Sequence, residues 1–162
     1  MAKEIERKFL VAHEEWRDKV TSSKSFRQAY VASMDDRSVR VRIVDDRKAT
    51  LTIKIGASAL VRDEYEYAIP LTDADELMAS ALGIVIEKTR HTVEHAGFTW
   101  EIDVFQGHYA GLVVAEVEMD DENAQPALPE WLGQEVTGDH RFSNQSLATQ
   151  NLRKELLNAL QD

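Results

Sequence analysis

Apolar residues recur along most of this chain with a period of two. In "SVRVRIV" (38–44) Val39, Val41 and Ile43 alternate with Arg40 and Arg42, and in "KATLTIKI" (48–55) Leu51, Ile53 and Ile55 alternate with Thr50, Thr52 and Lys54. Successive side chains of a strand point to opposite faces, so each run predicts a strand with one apolar and one polar face. Further strands are predicted at 3–10, 25–33, 60–70, 84–95, 98–105 and 111–119, separated by turn material such as Asp35-Asp36, Asp45-Asp46 and Ala96-Gly97. Helices are predicted in "AHEEWRDKV" after His13, in "TDADELMASAL" between a Thr72 N-cap and Gly83, and in "NQSLATQNLRKELLNAL", capped by Ser143 or Asn144. Eight strands in mostly hairpin order make an open sheet, a sandwich or a closed antiparallel barrel.

Sorting by parity shows what the polar faces carry. Glu4, Glu6 and Lys8 share a face of the first strand, and Arg40 and Arg42 share one of the third. Lys54 stands on the polar face of the fourth strand, Arg62, Glu64 and Glu66 on that of the fifth, and Lys88 and Arg90 on that of the sixth. Glu101 with Asp103, and Glu116 with Glu118, occupy the polar faces of the last two. Two geometries satisfy the pattern. One is an open sheet with its charged face in water, where cross-strand pairs add only about 0.2–1 kcal/mol each. The other is an inverted barrel, with apolar faces under helices and charged faces lining a wet tunnel. Density and segregation of sign favour the tunnel: the third and fourth strands are basic, the seventh and eighth acidic.

Composition narrows the chemistry. At 162 residues one domain over 1–162 is expected, and the absence of cysteine excludes disulfides and thiolate chemistry. No apolar leader and no spanning run occur, which predicts a soluble cytoplasmic protein with no membrane partner. The net charge of −10 argues against nucleic-acid partners and predicts that an anionic ligand arrives with metal ions. Carboxylates at i and i+2 suit hard cations such as Mg²⁺ or Mn²⁺, and opposed Arg and Lys suit phosphate oxygens. Neither GxxxxGK[ST] nor GxGxxG is present, so side chains rather than a backbone loop must hold the phosphates.

Taken in order, "EIERKFL", "RVR" (40–42), "TIK" ending at Lys54, "EYEY" (64–67), "EKTR" (87–90), "EIDVF" (101–105), "AEVEM" (115–119) and "EVTGDHRFSN" (135–144) resemble the CYTH family, the triphosphate tunnel metalloenzymes. The resemblance spans nearly the whole chain. It implies an α+β fold, an eight-stranded closed antiparallel barrel with helices packed outside, holding a triphosphate and two Mg²⁺ or Mn²⁺ ions in its tunnel. Carried over by motif, Lys8, Arg40, Arg42, Lys54, Lys88 and Arg90 bind phosphate. Glu4, Glu6, Glu116 and Glu118 are implied as the chief metal ligands, and Glu64, Glu66 and Asp103 complete the acidic side. Ala57 and Ser58 stand where relatives often have a Gly-rich turn, and Ala68 where a further acid is frequent. Arg62 and Glu101 share the lining parity without a role assigned by motif.

Tyr30 shares a face with Gln28, and a pair with Lys8 would help to orient or deprotonate water; with Lys8 it is the catalytic candidate. The histidines lack metal-ligand spacing, and Asp139 and Asn144 look like capping groups. Among the family's reactions, hydrolysis of inorganic tripolyphosphate is the expected one. A class IV adenylate cyclase, a thiamine triphosphatase and a non-catalytic polyphosphate-binding module are the alternatives. A homodimer is compatible with the sequence, though no segment marks its interface.

Overall fold

In a computed structural model, which describes residues 2–56 and 61–160, the alternating segments become strands. They are β1 (Ala2–Val11), β2 (Val20–Met34), β3 (Arg37–Val44), β4 (Lys48–Ile55), β5 (Val61–Ile69), β6 (Leu82–His95), β7 (Phe98–Gln106), β8 (Val113–Glu118) and β9 (Leu132–Glu135). The turn at Ala57-Ser58 and the strand start expected at Leu60 lie outside the described residues. Neighbouring strands are antiparallel in the order β5-β4-β3-β2-β6-β7-β8-β1, and β1 also pairs with β5, which closes the eight into a barrel. Closure is carried by Ala2↔Glu64 and Glu4↔Arg62 on one edge of β1 and by Glu6↔Glu118 and Lys8↔Glu116 on the other. Of the two geometries that parity left open, the chain takes the inverted barrel.

The ninth strand was not expected. Phe9 pairs with Ala115 of β8 and also with Glu135 of β9. Thus β9 occupies the edge of β1 that β5 leaves free, and it satisfies backbone groups that would otherwise face water.

Three apolar clusters flank the charged interior. The outward faces of β2–β4 put Ala29, Val41, Ile43 and Ala49 against Ala74 and Met78 of α1 (Leu71–Met78). The outward faces of β1 and β6–β8 pack Phe9, Val93, Trp100, Ile102, Ala115 and Val117 against Trp16 and Trp131. That second cover comes from a short 3-10 turn (Glu15–Lys19) and an irregular segment, not from a long helix. The third cluster lies at one end of the barrel. There Leu10, Tyr30, Ile86, Phe105 and Val114, at the ends of the inward rows, meet Leu147, Ala148, Leu152 and Leu156 of α2 (Asn144–Thr149) and α3 (Arg153–Leu160).

Local expectations are corrected in two places. α1 has Pro70 at its N-cap with no side-chain cap, so Thr72 lies inside its first turn, and Gly83 falls in β6 rather than ending the helix. Gly83 has φ +72°, and a Cβ there would lie 2.1 Å from the Ala148 carbonyl oxygen, so glycine is required by the approach of α2. The single C-terminal helix is two, broken at Gln150–Leu152. The Tyr109 hydroxyl explains the break: it donates to the carbonyls of Leu147 and Gln150 and accepts from Leu152 N, satisfying groups that a continuous helix would pair internally.

Candidate active site

Strand pairing brings the predicted residues to one lumen. A cavity of about 260 Å³ is lined by Glu4, Glu6 and Lys8 from β1, Tyr30 from β2, and Ser38, Arg40 and Arg42 from β3. Lys54 of β4, Arg62, Glu64 and Glu66 of β5, Arg90 of β6, Glu101 of β7, and Glu116 and Glu118 of β8 complete the strand lining. Ser143, Asn144 and Gln145 at the start of α2 close one side. Two predicted residues, Lys88 and Asp103, are not in that lining. They lie in the wall, 0% and 2% exposed, between the cavity and the apolar end.

The basic sector is built on one buried arginine, Arg40, and one half-buried one, Arg42. Arg40 donates to Thr52 Oγ1 at 3.3 Å, its Nε is buried without a partner, and no carboxylate pairs with it among the described residues. Arg42 donates through Nε to Gln28 Oε1 at 2.8 Å and lies over the Phe26 ring, both neutral partners. Burial, with repulsion from Arg40 and Arg90, makes the Arg42 charge costly, holding its pKa well below the usual arginine value. Two guanidiniums thus point into the barrel with no carboxylate bonded directly to either among the described residues.

Arg90 and Lys88 are treated differently. Asp103 accepts from Arg90 Nε at 2.7 Å and from its NH2 at 2.9 Å, and lies 2.6 Å from Lys88 Nζ. Asp103 pays burial's upward push, but Arg90 and Lys88 overcome it and hold its carboxyl far below the usual range. Lys88 also donates to Asn144 Oδ1 at 2.9 Å, and burial lowers its pKa to about 7 despite Asp103. So Asp103 faces the cations, where metal ligation had been expected of it. Asn144, read as a cap, instead reaches the lining; Ser143 is the cap, accepting from Ser146 N.

The acidic sector holds more carboxylates than its cations balance. Lys54 Nζ lies 3.1 and 3.0 Å from the two Glu4 oxygens, yet only Oε1 accepts its hydrogen bond and Oε2 is buried without one. Arg62 lies 3.4 Å from Glu6 Oε1. Burial raises the Glu4 carboxyl, but Lys54 and hydrogen bonds from Glu64 and Glu6 hold it well below its ordinary value. Glu64 carries the complementary proton: burial and the Glu4 contact raise it to about 7. Burial, Glu116 and Glu4 likewise raise Glu6, and burial with Glu4 raises Glu118.

Protons retained near neutrality and a carboxylate oxygen without a donor are the marks of missing positive charge. An all-oxygen set of this kind fits hard divalent cations. Among the described residues no three acids or histidines converge to enclose an ion alone, so a cation held there would need further oxygen ligands, such as the waters that Mg²⁺ usually keeps.

Lys8 and Tyr30 do not pair. Lys8 Nζ donates to the Phe142 carbonyl at 3.0 Å and lies 3.4 Å from Glu116 Oε1; Tyr30 is not among its partners. Burial depresses Lys8, but Glu116 and Glu6 outweigh it, so its pKa is raised and it stands as an ammonium donor rather than a base.

These shifts set a pH dependence for the metal-free protein. Glu64, Glu6 and Glu118 bind protons more tightly folded than unfolded, so their contribution is full below the ordinary carboxylate range and is lost as pH rises through their raised folded values, about 7 for Glu64. Asp103, Glu4 and Glu116 are held down, so theirs is lost as pH falls below the ordinary carboxylate range. With EDTA, the thermal midpoint should peak near about pH 5 and fall toward about pH 7, above which loss of the Lys88 proton works in the opposite direction, and Mg²⁺ should remove that fall by replacing the protons. An equal Mg²⁺ increment at both ends of that range contradicts this balance.

Among the described residues no helix is long and apolar enough to cross a membrane. The CYTH domain model matches residues 2–151. An inorganic triphosphatase of Acetivibrio thermocellus is 44% identical over 148 residues, covering 91% of this chain and 94% of the relative. An inorganic triphosphatase of Nitrosomonas europaea is 36% identical, with 90% and 96% covered. The crystal structure of the inorganic triphosphatase NE1496 superposes with a TM-score of 0.68 at 35% identity, over 92% of this chain and 96% of that one.

Proposed function

The chain belongs to the CYTH family, and from that premise we propose that its barrel hydrolyses inorganic tripolyphosphate to pyrophosphate and orthophosphate. One observation carries the reading: Arg40 and Arg42, with no carboxylate paired to either among the described residues, face across a single small cavity a carboxylate cluster in which Glu64 is raised to about 7. A polyanion satisfies the first and divalent cations the second. Names borne by the relatives at 44% and 36% identity support the choice of substrate.

Arg40 and Arg42 bind phosphoryl oxygens through their forked donors, and Arg90, held in place by Asp103, completes the cradle. Lys54 reaches the substrate from beside Glu4. Lys88, behind the cavity wall, adds positive potential rather than a contact. Glu4, Glu6, Glu116 and Glu118 would hold Mg²⁺ or Mn²⁺, with Glu64 and Glu66 beside them. Bound there, the ions supply charge neutralisation and lower the pKa of coordinated water. Water attacks the terminal phosphorus as the bridging P–O bond breaks, and the released proton goes to the acidic sector. Lys8, an ammonium next to Glu116, offers its positive charge to the leaving pyrophosphate. Positioning and electrostatics on the strands then supply most of the acceleration.

A panel of tripolyphosphate, ATP and thiamine triphosphate, each with Mg²⁺ or Mn²⁺, tests the substrate. Orthophosphate, pyrophosphate and cyclic AMP are assayed together. Tripolyphosphate should be turned over best, with no cyclic AMP from ATP. Cyclic AMP with pyrophosphate would make the protein a cyclase, and binding without release of orthophosphate would make it a polyphosphate-binding module.

A further inference from the structure

Resting on the reading of the barrel as a triphosphate site, we propose that Phe26 is a positioning residue which orients Arg42 and Arg90, two of the three arginines of the phosphate cradle. Phe26 shares the inward row of β2 with Gln28 and Tyr30 and is 6% exposed, yet it belongs to none of the apolar clusters. Its ring instead carries two cations: the Arg42 guanidinium carbon lies 4.3 Å from the ring centroid and that of Arg90 lies 4.9 Å away. Strand pairing brings this about, since Phe26 lies opposite Lys88 of β6 and two residues from Gln28, the partner of Arg42.

An aromatic ring is suited to this place. Arg42 needs an anchor, because a free guanidinium in a dry site wanders and is repelled by Arg40 and Arg90. A carboxylate would anchor it and also cancel the charge on which phosphate binding depends. A π face fixes the plane of the guanidinium without a formal charge. Gln28 Oε1 fixes it in the second direction, again with a neutral group. Arg90 has Asp103 for its strong bonds and takes only its tilt from the ring. Phe26 and Gln28 thus let Arg42 meet the substrate already oriented and still fully charged, so less ordering is left for binding to accomplish.

Phe26→Met and Phe26→Tyr test this. Met keeps an apolar chain and removes the ring; Tyr keeps the ring. Tripolyphosphate binding is measured by calorimetry with EDTA, where no turnover occurs, alongside KM and kcat with Mg²⁺ and the thermal midpoint. Phe26→Met should weaken binding and raise KM about tenfold, the worth of a desolvated cation–π contact, with a smaller change in kcat. Phe26→Tyr should bind as the parent does. Equal losses in both variants, tracking their thermal midpoints, would reduce Phe26 to a packing residue and overturn the proposal, as would parent-like binding by Phe26→Met. Arg42→Ala separates the premises: if it weakens binding while Phe26→Met does not, the ring inference alone fails. If Arg42→Ala binds normally, the triphosphate reading fails and the inference with it.

Discussion

Glu4→Gln should lower tripolyphosphate turnover by about 10³-fold while leaving the fold in place. The substitution keeps the shape of the side chain and an acceptor for Lys54, but removes a full negative charge from the acidic sector. That charge is the one carboxylate of the Glu4–Glu64 pair that stays ionised at neutral pH. Stability should change little, because two opposing effects meet there. The pairing of Glu4 with Lys54 is weakened, and the repulsion that Glu4 exerts on Glu6, Glu64 and Glu118 is relieved. Steady-state kinetics and a thermal melt on the same preparation check both halves. A melt that collapses with the activity would make Glu4 a folding residue, and retained turnover would remove it from the site.

Asp103→Asn should do the reverse in proportion, striking stability first. Asp103 is 2% exposed and balances the buried Lys88 and the half-buried Arg90, and an amide in its place leaves them facing each other. Breaking a buried pair from one side costs about 3–5 kcal/mol, and for a chain of this size that lowers the thermal midpoint by roughly 10 °C. The loss should depend on pH. Without Asp103, Lys88 falls below its present value of about 7, so the unfolded chain binds that proton more tightly than the folded one. Both proteins gain stability as pH rises above about 7, but the variant begins to gain at lower pH, so its deficit should narrow as pH rises from about 5 to about 7 and stay level above that. A deficit that is uniform from about pH 5 to about pH 8 would contradict the assignment of Lys88 as the stranded cation. Activity should fall too, because Arg90 loses the bidentate bond that aims it.

Much of the lining was legible in the sequence, because strand periodicity is two and the inside of this barrel is charged. Parity alone puts Glu4, Glu6, Lys8, Arg40, Arg42, Lys54, Glu64 and Glu116 on polar faces, and the structure brings them to one cavity. Closure was not legible in parity and came only from the family resemblance, since it rests on pairing residues as far apart as Glu4 and Arg62. Depth was not legible either. Lys88 and Arg90 look alike in "EKTR", yet one is sealed in the wall and the other lines the cavity. Phe26 has the parity of Gln28 and Tyr30, but an apolar residue in a polar row reads as core until two guanidiniums are found on its ring. Asn144 occupies a cap-like position in the chain, and only the packing of α2 across the barrel turns it to Lys88. The break before α3 depends on Tyr109, a residue from a distant turn. With only Leu132–Glu135, β9 is too short to show a period.

The central claim is that water attacks the terminal phosphorus of a triphosphate held between the basic and acidic sectors. Hydrolysis of tripolyphosphate in ¹⁸O-labelled water with Mg²⁺, followed by ³¹P nuclear magnetic resonance, tests it most directly. The account predicts one ¹⁸O in each orthophosphate released, unlabelled pyrophosphate in equal amount, and loss of the reaction with EDTA or in Glu4→Gln. Label in the pyrophosphate, or no orthophosphate at all, would contradict it.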